Sequence, residues 1–186
     1  LKIAPGVCGC GVEDTDADGD GTPDCLDGAF DVPEDFATIQ DAIDAAPENA
    51  IINVSEGTRS ITNTIDLLGK AITLRGALGA DNRPATVLDG GGAVRVLICN
   101  SGEGAGTRIE NLAIINGFAA SGGGMEINNA APTVVNCRFE GNTADSGAAV
   151  YIRGNGSDAD FLACLFLENT AENRGGAVYV RQANAP

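Results

Sequence analysis

The residues with the clearest capacity for chemistry are the aspartates of the segment EDTDADGDGTPDCLDG, residues 13–28, where six aspartates fall within fourteen residues. When Asp16 is counted as position 1, aspartates occupy positions 1, 3, 5, 9 and 12, Gly21 is position 6 and Thr22 is position 7. A calcium loop of the EF-hand type places its oxygen ligands at these positions and needs glycine for the sharp turn. The predicted Ca²⁺ ligands are Asp16, Asp18, Asp20, Thr22, Asp24 and Asp27.

Two other interpretations of this acidic segment stay open. A register that begins at Asp14 fits less well, because it places Cys25 at position 12. An acidic linker rich in turn residues would have the same composition without binding a metal. Crowded carboxylates repel one another, so we expect the segment to be ordered only when a cation neutralises it.

Residues 4–28 resemble the thrombospondin type 3 calcium repeat, in which units of the form DxDxDGxxDxxD and cysteines wrap around ions with little regular structure. The flanking stretches LKIAPGVCGCGV and GAFDVPEDF do not read as helices, which argues against a helix–loop–helix sensor. Three cysteines, Cys8, Cys10 and Cys25, belong to this part and indicate an oxidising compartment. Cys25 could pair with Cys8 or with Cys10, and the sequence does not choose.

A second candidate site consists of tyrosines and arginines that recur 28 residues apart. Tyr151 and Tyr179 have this spacing, and so have Arg153 and Arg181. Exposed on one face, these side chains could contact a glycan by ring stacking and by bidentate hydrogen bonds. Ordinary cross-strand pairing on a solvated sheet is the alternative interpretation.

The element that precedes the repeats is one short amphipathic helix, predicted at about residues 35–46. Phe36, Ile39, Ile43 and Ala46 recur at helical spacing, and Pro47 marks the end. The segments FATIQDAIDAAPENAIINVSEGTRS, GKAITLRGA and TVLDGGG, between residues 36 and 92, are similar to the opening of right-handed parallel β-helix proteins of the pectin-lyase-like type. That resemblance implies that the helix caps the open end of a solenoid, which needs a polar cover.

The second half of the chain repeats itself with a period of 25–28 residues. VVNCRFEGNTADSGAAVYIR (134–153) aligns with FLACLFLENTAENRGGAVYVR (161–181), and IENLAIINGFAASGGGMEI is a weaker copy that precedes them. Such a period with short strands and Gly/Asn turns predicts stacked coils. Strand alternation then points Phe139 and Phe166 inward, and Asn116, Asn142 and Asn169 are predicted to form an amide ladder.

Two details of the repeats carry separate expectations. Cys137 and Cys164 should stack as reduced, buried thiols, because stacked parallel positions give poor disulfide geometry. Ile115, Leu165 and Leu167 would face outward although they are apolar, so either the alternation slips or something covers that face.

The predicted fold class is therefore all-β: a right-handed parallel β-helix of five or six coils over residues 31–186, with a capping helix, behind a small irregular calcium-binding module at residues 1–30. A formal charge of −15 argues against nucleic acid as a partner, and no run of residues is apolar enough for membrane insertion. The chain begins at Leu1 and ends directly after a strand-like segment, so we expect copies of itself or further domains of a longer chain as partners.

The predicted function is that of an extracellular structural or adhesive protein, secreted or at a cell surface, with calcium stiffening its N-terminal part. The alternative is a carbohydrate-binding or polysaccharide-degrading β-helix module, because the resembled type includes lyases, esterases and glycoside hydrolases. The chain has no histidine, lacks the GxxDFIFG segment of the esterases, and shows no paired acid and base in its repeats. An enzymatic activity is therefore not predicted, although it is not excluded.

Overall fold

The computed structural model describes residues 29–181, in which short strands follow one another around a common axis with one helix near the start. The calcium-loop residues and Cys8, Cys10 and Cys25 lie outside the described residues. The elements are β1 Ala29–Val32, α1 Ile39–Ala45, β2 Ile51–Val54, β3 Gly57–Ser60, β4 Ile65–Asp66, β5 Thr73–Gly76, β6 Thr86–Asp89, β7 Leu97–Cys99, β8 Arg108–Glu110, β9 Leu112–Ile115, β10 Phe118–Ser121, β11 Met125–Asn128, β12 Thr133–Val135, β13 Arg138–Glu140, β14 Thr143–Ser146, β15 Val150–Arg153, β16 Asp160–Leu162, β17 Leu165–Leu167, β18 Thr170–Arg174 and β19 Val178–Arg181.

The strands stack into four sheets that run along the axis. Their orders are β1-β2-β5-β8-β12-β16, β3-β6-β9-β13-β17, β4-β7-β11-β15-β19 and β10-β14-β18. Every ladder between these strands in the described part is parallel. The second sheet takes one strand from each of five coils. The prediction of an all-β parallel solenoid is confirmed.

The interior is built from columns of side chains that repeat from coil to coil. Leu88, Ile114, Phe139 and Phe166 occupy equivalent positions of neighbouring strands. The rings of Phe139 and Phe166 stack with centroids 5.2 Å apart and planes 10° apart. Strand spacing of just under 5 Å fixes this contact, so residues 27 apart in sequence lie on top of each other.

The corners between strands also repeat. Gly122, Gly147 and Gly175 have φ values of 58°, 58° and 60° at the same corner of three successive coils. A Cβ at Gly122 would lie 2.3 Å from the carbonyl oxygen of Met125. Glycine is therefore required here both by the left-handed backbone and by the close approach.

The predicted amide ladder forms with one change. Asn142 Nδ2 donates to Asn169 Oδ1 at 2.9 Å, but Asn142 Oδ1 accepts from the backbone N–H of Gly117 at 2.8 Å. Asn116 is one position out of register, and its Nδ2 donates to Asp89 Oδ1 at 3.0 Å. The inclusion of Asn116 was wrong because it follows Ile114 by two residues, whereas Asn142 follows Phe139 by three.

The helix α1 lies within the predicted span of about 35–46 and packs against β1, β2 and β4. Thr38 is its N-cap, and its Oγ1 accepts from the backbone N–H of Asp41 at 3.1 Å. Ile39, Ala42 and Ile43 form its buried face. The helix thus joins the same core as the first coils.

Two side chains tie α1 to the first coil. Lys70 Nζ donates to the carbonyl oxygens at the end of the helix, those of Ile43, Asp44 and Ala46, at 2.6, 3.0 and 2.8 Å. Its charge complements the negative end of the helix dipole. Gln40 accepts from the backbone N–H of Asp66 at 2.9 Å and donates to its carbonyl at 3.2 Å, as a neighbouring strand would.

The outward apolar residues keep their predicted direction. Leu165 and Leu167 lie outward on either side of the inward Phe166 and are 48% and 38% exposed. The alternation therefore does not slip, and both side chains line a groove together with Pro84 and Ala85 of the loop between β5 and β6.

Candidate binding strip

The predicted tyrosine and arginine pairs lie together on the outer face of the sheet formed by β4, β7, β11, β15 and β19. Tyr151 is aligned with Tyr179, and Arg153 with Arg181. The two rings are tilted by 38° with centroids 5.6 Å apart. The structure therefore brings all four predicted glycan-contact residues together in two adjacent columns. We call this surface the Tyr–Arg strip and include in it the neighbouring Arg95, Glu126 and Arg174.

Glu126 is the charged centre of the strip. Its Oε2 lies 2.5 Å from Arg95 Nη2, and its Oε1 accepts from Arg153 Nε at 2.8 Å. The Glu126 side chain is only 6% exposed, so this is a well-shielded carboxylate held between two guanidinium groups. Burial lowers the pKa of Arg95 and Arg153 adds to this, while Glu126 opposes it. One carboxylate between two arginines leaves a net positive charge on the strip.

The solvent reaches only part of the strip. Tyr151 is 7% exposed, so its ring is packed rather than presented to a ligand. Tyr179 is partly buried, and Arg153 and Arg181 are exposed. Arg174 Nη1 donates to Tyr179 Oη at 2.9 Å, and this hydrogen bond raises the pKa of Arg174. Any contact with a ligand would therefore be made mainly by Tyr179 and the arginines.

The sequence did not indicate Arg95 or Arg174 as members of the strip. Arg95 precedes β7, and Arg174 stands at a bulge opposite Ser146. Neither has an arginine at the equivalent position of the neighbouring coil, so periodicity gave no signal for them.

Two further outward acids, Glu110 and Glu140, are held by arginines. Glu110 accepts from Arg108 Nε at 2.7 Å and from Arg75 Nε at 3.1 Å. Burial would raise the pKa of Glu110, but the hydrogen bonds and charges of these arginines outweigh it, so the pKa is lowered. Glu140 is paired with Arg138. In these pairs each carboxylate is neutralised by a permanent cation, which is unlike a catalytic acid–base pair.

The described cysteines, Cys99, Cys137 and Cys164, are free. Cys137 lies between Leu112 and Cys164 in an inward column, and burial raises its pKa to about 12. Such a thiol is not nucleophilic at neutral pH. Within residues 29–181 no group of three Cys, Asp or Glu side chains is arranged to hold a metal ion.

A family model matches a short segment of the chain. The Chlamydia polymorphic membrane protein (Chlamydia_PMP) repeat matches residues 163–181, which contain β17, β18 and β19. No curated protein and no solved structure matches the chain. In the part that the structure describes, no helix is long and apolar enough to cross a membrane.

The matched segment contains the residues that join the last described coil to the one before it. Asn169 Nδ2 donates to the carbonyl oxygen of Phe139 at 3.0 Å, and Phe166 stacks on Phe139. The preceding coil uses Asn142 in the same way, with its Nδ2 donating to the carbonyl oxygen of Ile114 at 3.0 Å. The matched repeat thus covers three of the four strands of the last described coil.

Proposed function

We propose that this chain is a structural or adhesive β-solenoid that works outside the cell or at the cell surface. The observation that carries the proposal is the match of the polymorphic membrane protein repeat to a coil of a regular parallel stack. A stack of this kind is a stiff rod, because each coil is bonded to its neighbours along three sheets, and the last three coils along a fourth as well.

Surface protease treatment of intact cells of the source organism tests the location. A protease added outside should cut the chain while a cytoplasmic marker stays intact. Degradation only after lysis would contradict the proposal. For the adhesive role, beads coated with the folded chain should bind host or neighbouring cells, whereas beads coated with the urea-unfolded chain should not.

We propose that α1 is a cap for the first end of the solenoid, of the kind found in the pectin-lyase-like type. Its contacts support this, since Gln40 occupies the backbone groups of Asp66 on the edge strand β4, and Lys70 closes the helix end. A covered end prevents another chain from adding to the exposed strand edges. Replacement of Gln40 by Leu should therefore increase self-association, as measured by sedimentation velocity.

We propose that the residues before β1 form a separate module similar to the thrombospondin type 3 repeat, which binds Ca²⁺ through the acidic loop and stiffens when it does so. The module ends before Ala29, because Ala29 and Phe30 pair with Ile51 and Ile52 of β2. Titration calorimetry on the full, chelator-treated chain should give saturable binding. The triple variant Asp16→Asn, Asp18→Asn, Asp20→Asn should lose it, and the control Asp81→Asn, on an exposed loop, should not. In hydrogen exchange, chelation should affect residues 13–28 and leave the solenoid strands protected. Loss of protection throughout would contradict a separate module.

We propose that the last described coil joins a further coil, from residues that follow in a longer chain or from a second copy. The support is its inner face, where Val178 and Val180 are 36% and 52% exposed although the equivalent Val150 and Ile152 are buried. Light scattering that shows a monomer at high concentration would exclude the second copy.

Glycan binding on the Tyr–Arg strip is the second candidate function. It is supported by the exposed Arg153 and Arg181 beside Tyr179 on an otherwise acidic chain. A glycan panel with product detection tests it. Binding that is lost in Arg153→Ala/Arg181→Ala and kept in the control Arg83→Ala would support the strip, and reproducible cleavage would show a polysaccharide-degrading activity.

A further inference from the structure

A cavity of about 310 Å³ lies between α1 and the first coil. Its walls come from the start of α1, from β3 and from the segment that follows β3. The chain has 26 acidic and 11 basic residues, yet among the described residues that line this cavity the one charged side chain is a cation, Arg59.

Arg59 occupies an inward position of the solenoid. It is aligned with Leu88, and through Leu88 with the column that continues to Ile114, Phe139 and Phe166. In the other described coils this position holds a large apolar side chain. An arginine therefore replaces a core residue at the end of the column, directly beneath the helix.

The Arg59 guanidinium is poorly satisfied by the protein. Its Nε is buried and has no hydrogen-bond partner among the described residues. Its one hydrogen bond there runs from Nη2 to the carbonyl oxygen of Ser55 at a long 3.4 Å. No carboxylate of residues 29–181 lies within ion-pair distance of it. A partly buried cation without a counter-ion costs free energy, and a bound anion would remove that cost.

The remaining walls indicate the kind of anion. Hydroxyl and amide groups come from Thr38, Thr58, Ser60, Thr62 and Asn63, and apolar surface comes from Val32, Ile39, Ile61 and Ile65. One planar guanidinium matches one carboxylate in a two-point contact. The apolar walls suit a small hydrocarbon body. The volume is at the lower end of the range for small-molecule sites, which matches a ligand with a small body.

We propose that this cavity binds a small organic carboxylate, with Arg59 as the residue that holds the carboxylate group. The proposal is independent of the surface function, because it concerns the end of the solenoid beneath α1 and not the Tyr–Arg strip.

Benzoate and butanoate are the probes, titrated into the full chain with sodium chloride at matched ionic strength as the reference. We expect the melting temperature to rise saturably with one of the carboxylates. The same carboxylate should shift the Nε–Hε NMR signal of Arg59, which is one of nine arginines in the chain. Arg59→Met should fold, because it restores an apolar column, and should bind at least about tenfold more weakly. Arg59→Lys should retain part of the binding. Arg83→Met, at an exposed arginine, is the matched control and should bind as the parent chain does.

Four outcomes would overturn the proposal. These are an unchanged Arg59 signal at saturating probe, an equal effect of chloride or sulfate, an equal response of Arg59→Met, and an Arg59 signal that responds to neutralisation of the aspartates of residues 13–28. The last result would mean that the chain's own acidic segment supplies the counter-ion.

Discussion

The inward column that runs from Arg59 to Phe166 has two different ends. At the first end Arg59 lines a cavity beneath the start of α1, and Gln40, which also lines this cavity, binds the backbone N–H of Asp66. At the other end Phe166 stacks on Phe139 and contacts Phe161, and it is partly exposed because no further described coil lies on it. The register determines which way a side chain points. Whether an inward side chain is buried, lines a cavity or stays exposed depends on the element that packs against it.

The aromatic part of the column gives the largest expected effect. Phe139→Ala should lower the free energy of unfolding by about 3–5 kcal/mol, because Phe139 is fully buried between two coils. Phe166→Ala should cost only about 1–2 kcal/mol, since its ring is already partly in water. Urea denaturation measures both. Equal losses would mean that the two rings have the same surroundings.

The buried amide at the corner comes next. Asn142 is fully buried, and its replacement by Ala would leave the Gly117 N–H without its side-chain partner and remove the hydrogen bond to the Ile114 carbonyl. We expect a loss of about 2–3 kcal/mol in the same assay. The control Asn100→Ala, at an exposed position, should stay within about 0.5 kcal/mol of the parent. A neutral Asn142→Ala would show that the amide ladder does not hold the coils.

A change at the end of the solenoid that α1 covers should destabilise only the residues near that end. Lys70→Met removes three hydrogen bonds at the end of α1 and should cost about 1–2 kcal/mol. Hydrogen exchange should rise in residues 39–54 and remain unchanged in residues 133–181. Increased exchange in both parts would contradict a helix that is stabilised separately from the later coils.

The smallest effect is a pH dependence from Glu110. Its pKa is lowered in the folded chain, so its pairing with Arg75 and Arg108 stabilises the fold above the ordinary carboxyl pKa and is lost as the pH falls through the lowered value. Glu110→Gln should therefore lower the free energy of unfolding at neutral pH by less than about 1 kcal/mol. In acid the difference in unfolding free energy between the variant and the parent chain should become smaller. Chemical denaturation of both proteins at neutral and at acidic pH tests this. A difference in unfolding free energy that grows in acid would contradict it.

The sequence predicted the repeated coils well because equivalent residues such as Phe139 and Phe166 have the same type. It failed where one coil uses a different residue. Arg59 lies in an apolar column and is aligned with Leu88, 29 residues later. The two residues differ in type, so no repeat in the sequence indicates that they are aligned. Lys70 donates to carbonyl oxygens at the end of α1, and Glu103 accepts from the Gly69 N–H of another coil at 2.9 Å. Such contacts depend on the three-dimensional path of the corners, which periodicity does not give.

The stacking register itself is tested most directly by NMR contacts between aromatic rings. The account predicts strong nuclear Overhauser effects between the ring protons of Phe139 and Phe166, and from the Ile114 methyl groups to the Phe139 ring. If the Phe139 ring shows contacts to neither of these residues, the coils do not stack as described.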